Sequence, residues 1–174
     1  MKLIALAVWI FAASLAVSAQ QITSVYTSLD DKKCKEIERT DEEGGSYKGE
    51  CKGVAGYKLE LIEGDLRQTV NIIDPKGKRY ELRFWDLTGA FSAVGETAEW
   101  RMRAKKPIAL IVRLNFNPYG EDEHETKSYL IVTKITPEET CVTHFLAPTR
   151  SHNLEARKAA DKSATRPCLK PASE

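Results

Sequence analysis

Four arginines, Arg83, Arg101, Arg103 and Arg113, stand opposite the apolar residues of three alternating runs, and Trp85 lies at the edge of the same set. An arginine fork recognises carboxylates and phosphates through two parallel hydrogen bonds. Several forks on one sheet face would suit an anionic ligand or the acidic patch of a partner protein. If the runs are neighbouring strands, Glu81 and Glu99 interleave with these arginines. The plainer reading is then cross-strand ion pairing on a wet face, worth roughly 0.2–1 kcal/mol per pair. Trp85, pointing away from Phe84, is the candidate for an exposed aromatic contact, because large rings often anchor interfaces. Its alternative is burial under residues 86–97. Arg83, Trp85, Arg101, Arg103 and Arg113 are the predicted binding residues.

Other chemistry is sparser. A catalytic imidazole needs a carboxylate or ligand within hydrogen-bond reach. His144 falls on a strand and His152 precedes a helix, with a turn at Pro148 that could bring them together. A hydrolase using either histidine with Asp or Glu is therefore the alternative reading, set against two unrelated surface imidazoles. Glu121, Asp122, Glu123, His124 and Glu125 form the densest charge cluster, and such a set could hold calcium. Its spacing departs from an EF-hand loop and the central glycine is absent, so a solvated hairpin loop fits better. No G-x-S-x-G elbow, H-E-x-x-H pair, P-loop or dinucleotide fingerprint is present. Gly53-Val54-Ala55-Gly56 precedes a strand, whereas phosphate loops open a helix, so it reads as a connecting turn. No catalytic residue, metal ligand or cofactor is expected.

The cysteines Cys34, Cys51, Cys141 and Cys168 make an even set, which in an exported chain reads as two disulfides with three possible connectivities. Sequence proximity favours Cys34–Cys51 and Cys141–Cys168. A loop of the Cys34–Cys51 size corresponds to about 3 kcal/mol of chain-entropy stabilisation. The absence of a C-x-x-C pair or a short-spaced Cys/His cluster argues against zinc.

Export is read from residues 1–19. Lys2 supplies a positive start, residues 3–17 are apolar, and Val17-Ser18-Ala19 offers small residues before a cut at Gln20. The run falls short of the roughly 20 residues that span a bilayer, although a retained anchor is the alternative. The expected setting is periplasmic or secreted, where thiols oxidise, with no integral membrane segment after cleavage. Only Lys2 is lost from the charge balance, leaving 25 basic against 25 acidic residues. A neutral chain has no net attraction for nucleic acid, so none is expected as a partner.

The elements that must carry these residues are short and alternating, with turn signals between them. In residues 108–116, Ile108, Leu110, Val112, Leu114 and Phe116 share one face. Ala109, Ile111, Arg113 and Asn115 share the other, which predicts a central strand with a partly covered back. Tyr57, Leu59 and Leu61 form one inward series. After a turn at Gly64-Asp65, Leu66, Val70 and Ile72 form the next. Asp74-Pro75-Lys76-Gly77 is a turn, with proline presetting φ and glycine taking the strained end. Tyr80, Leu82 and Phe84 follow inward, and Trp100 and Met102 face the core after an ambiguous stretch at 86–97. Lys105-Lys106-Pro107 is read as a turn, 117–126 as a polar loop, and 127–135 and 141–146 as the last strands. Residues 152–163 predict one C-terminal helix capped by Asn153, followed by a loose tail.

The strings YTSLDDKKC, ECKGVAGYKLELIEGDLRQ, AEWR and NLEARKAAD resemble a group of small exported bacterial proteins without assigned activity. The resemblance covers almost the whole chain after residue 19. It implies a periplasmic or secreted setting and transfers no functional residue. The expected fold is mainly β, an antiparallel sandwich or open barrel with one C-terminal α-helix and two disulfides, forming a single domain over residues 20–174. The expected function is a non-enzymatic binding module of the cell envelope. One version inhibits a secreted hydrolase through the 117–126 loop; a purely structural envelope protein is the further alternative.

Overall fold

The computed structural model describes residues 21–41, 44–117 and 126–170. The leader, most of the 117–126 loop with its acidic cluster and His124, and the end of the tail lie outside the described residues. In chain order the elements are β1 (Ile22–Ser28), β2 (Lys35–Thr40), β3 (Ser46–Lys52), β4 (Lys58–Gly64), β5 (Arg67–Ile73), β6 (Arg79–Tyr80) and α1 (Trp85–Thr88). They continue with β7 (Ser92–Arg103), β8 (Lys106–Phe116), β9 (Lys127–Ile135), β10 (Thr140–Leu146) and α2 (His152–Asp161). The fold is mainly β with a C-terminal helix, as the alternation predicts.

The ten strands of the described residues belong to one hydrogen-bonded sheet in the order β10-β9-β8-β7-β5-β4-β3-β2, with β1 on β7 and β6 on β5. Leu59, Leu61, Val70 and Ile72 of β4 and β5 nevertheless share one core with Leu110, Val112, Leu114 and Ile131 of β8 and β9. Strands so far apart in a sheet meet only if it folds over on itself as a sandwich. The fold line is β7. Its start touches β5 through the single parallel pair Arg67–Ser92, while its far end carries β1 over seven pairs. Between them Val94 faces Leu114 and Ala98 faces Val112, so extra residues bulge the strand where it passes between layers. Gly95 sits in that bulge, where a Cβ would lie 2.9 Å from the Arg113 Cβ.

The covered back of β8 has a physical owner. Ala109 and Ile111, with Leu130 and Val132 of β9, pack against Ala156 and Ala160 of α2. Ile108 leaves the predicted inward series because the register with β7 slips beside it, Met102 pairing with Pro107. Two predicted turns also shift. The hairpin tips are Asp65-Leu66 and Ala104-Lys105, all four residues at positive φ, as a two-residue hairpin turn of the favoured twist requires. Leu66 is therefore an exposed tip rather than an inward residue, and Pro107 belongs to β8. The Asp74 turn forms as expected: its carboxylate accepts from the Lys76 and Lys78 amides, and Gly77 takes φ 84°. Beyond β6 the chain continues along β5 without regular pairing. The Leu82 and Phe84 amides donate instead to the side-chain oxygens of Asn71 and Thr69.

Both disulfides have the favoured connectivity, Cys34–Cys51 and Cys141–Cys168. The second holds the C-terminal segment on β10, where the Leu169 amide donates to the Val142 carbonyl at 2.8 Å. The helix is shorter than predicted, and Ser151 rather than Asn153 occupies its cap. There the Glu155 carboxylate reaches back to accept from the Ser151 and Thr149 hydroxyls, which holds its pKa below the usual carboxylate value.

Candidate functional site

The five predicted binding residues occupy four separate places, Arg101 and Arg113 sharing one. Arg101 is buried under α2, its fork bidentate on Asp161 at 2.7 and 2.9 Å, with a further bond to the Ser24 hydroxyl. Beside it Arg157 of the helix bonds Glu99 at 2.7 Å and the Tyr26 hydroxyl at 3.0 Å, and the Glu99 hydrogen bond holds that guanidinium still more firmly protonated. These ions fasten α2 to β7 and β1. Arg113 borders the same region and donates to Asn153 at 3.3 Å, beside a polar recess of about 180 Å³ that Tyr26, Glu99 and Arg157 also line. Arg103 is exposed at the end of β7. Arg83 lies elsewhere, at positive φ, paired with Asp86 at 2.9 Å. The arginine ladder therefore does not assemble: α2 takes part of it, and Arg83 sits in an irregular segment rather than a strand.

Trp85 stands in a different setting. Phe84 is fully buried, and the single turn of α1, closed by Gly89 at φ 62°, turns Trp85 outward to a half-buried position. There, with Ile62, Gly64, Arg67 and Gly89, it lines an open and mainly apolar recess of about 470 Å³. Leu66 and Phe91 stand beside it, each 58% exposed. The Arg67 guanidinium lies over the Phe91 ring, 5.2 Å from its centroid, and pairs with Asp65. The Leu66 carbonyl accepts from the Ser92 amide at 3.0 Å, so the hairpin tip and the start of β7 are held together. Sequence reading found Trp85 but missed Leu66 and Phe91. The period of two places Leu66 inward, and Phe91 lies in the ambiguous stretch.

His144 and His152 lie apart in their hydrogen bonding. His144 Nδ1 is 3.0 Å from the Thr143 hydroxyl, and burial, then the Arg166 charge, lowers its pKa from 6.5. His152 is buried with Nε2 3.0 Å from the Leu146 carbonyl. Among the described residues neither ring meets a carboxylate at hydrogen-bond distance. Glu139, Cys141 and Cys168 cluster, but both sulfurs are spent in a disulfide and offer no thiolate to a metal. Gly53-Val54-Ala55-Gly56 is a turn, closed by the Tyr57 amide on the Val54 carbonyl. Among the described residues no helix is long and apolar enough to cross a membrane. No family model matches the chain, nor does any curated protein or solved structure.

Proposed function

We propose that this protein is a non-enzymatic binding module of the periplasm or cell exterior, and that it contacts a partner protein through the surface around Trp85. The observation that carries the reading is the company of that residue. Leu66 and Phe91 stand largely in solvent beside an apolar recess of about 470 Å³ lined by Trp85 and Ile62. Large apolar side chains gathered at one place on a surface mark contact sites, whereas scattered ones need no explanation. Leu66 adds a second argument. A leucine at φ 58° carries strain of about 1–2 kcal/mol, which asparagine or glycine would relieve. Two disulfides suit the oxidising setting that the leader predicts.

The test is capture from an envelope extract with the native protein and with Leu66→Asp/Phe91→Asp. A partner retained by the first and lost by the second, at equal melting temperature, supports the surface. A partner held equally by both removes it.

A further inference from the structure

The folded sheet ends in strands whose outer edges differ in how they are guarded. β2 (KEIERT) carries four charges, is exposed throughout, and slips register between Glu36 and Glu38. β10 is covered, with Cys168 bonded to Cys141 and the Leu169 amide donating to Val142. Charges, irregular pairing and covering segments are the ways a sheet edge avoids adding another strand. Among the described residues β1 carries no charge, no register slip and no paired covering strand on its outer edge, although it also approaches β3. Its sequence, ITSVYTS, contains no charge, its seven pairs to β7 run without a register slip, and Val25 and Tyr26 are 40% and 53% exposed. Alternate residues of β1 turn their amide and carbonyl groups away from β7.

We propose that β1 is a self-association edge, where a second copy of this chain pairs antiparallel, β1 on β1, about a two-fold axis through Val25. The strand is complementary to itself in that register. Val25 faces Val25 of the second copy, Thr23 faces Thr27, and Ser24 faces Tyr26. Thr–Thr and β-branched pairs are favourable cross-strand neighbours, and no like charges are set opposite one another. A two-fold contact uses the same patch on both copies, so one uncharged strand suffices. A seven-residue edge is a small interface, which makes the dimer concentration-dependent. The edge is separate from the Trp85 surface, so either proposal can fail alone.

Sedimentation velocity of the purified protein over a concentration series tests it. The native protein passes from monomer to dimer. Val25→Lys, which sets two ammonium groups face to face, weakens the dimer at least about tenfold while leaving the melting temperature and β spectrum unchanged. Ile37→Lys on the guarded β2 edge leaves the dimer as it was. Val25→Cys, oxidised gently, cross-links two chains and guards against misreading a misfolded lysine variant. A native protein that stays monomeric up to about 1 mM overturns the proposal. So does a dimer that survives Val25→Lys. Protection of β1 amides from exchange only after a different envelope protein is added would assign the edge to a foreign strand, and would also overturn it.

Discussion

Arg101 and Arg103 lie two positions apart on β7, one buried against a carboxylate of α2 and the other exposed at the strand end. Burial makes Arg101 structural: removing its fork would leave Asp161 and Glu99 facing each other without their shared cation. Breaking a buried pair on one side is costly because the partner keeps its desolvation penalty. We expect Arg101→Ala to lower unfolding free energy by about 3 kcal/mol, and Arg103→Ala to change it by less than about 0.5 kcal/mol; urea denaturation measures both. The arginine spacing was legible in the sequence, but its destination was not. Asp161 is 60 positions from Arg101, and nothing local reports that a helix with a thin apolar stripe will lie over this face.

Strands and hairpin tips differed in the same way. Alternation located β4, β5, β8 and β9 because a half-buried strand must alternate, whatever its neighbours are. The tips were displaced by a residue or two because Asp65-Leu66 and Ala104-Lys105 hold positive φ without glycine. Turn chemistry read from Gly, Asn and Pro cannot find a leucine there. Strain at Leu66 separates contact from architecture. Leu66→Gly should raise stability by about 1 kcal/mol and weaken partner capture. Ala104→Gly, at the other tip, should stabilise without touching capture. If Leu66→Gly leaves capture unchanged, the tip is not part of the contact.

At the scale of the molecule, two layers enclose one core and α2 covers a second, smaller apolar cluster on the back of β8 and β9, while the disulfides fasten the chain just before β2 to β3 and the C-terminal segment to β10. The disulfide pairing was legible because each partner was close in sequence. The fold-over at β7 was not, since it depends on a bulge and on which strand takes which edge. The His144 ring, half-buried on β10 and near Arg166, binds its proton less tightly folded than unfolded. Its contribution to stability is therefore full above its ordinary pKa of 6.5 and is lost as pH falls through the lower folded value. Denaturation midpoints should fall between about pH 7 and about pH 5, and His144→Gln should flatten that segment of the profile. An unchanged slope in the variant would place the acid sensitivity elsewhere.

β1 is made first and finished late. Ser24 must wait for Glu99, 75 positions further along, before its ribbon has anything to lie on. A chain made from its N-terminus thus presents an uncharged, β-branched segment while the next 75 residues are added, an interval in which aggregation competes with folding. Whatever shielding that unpaired segment needs ends when β7 arrives to receive it.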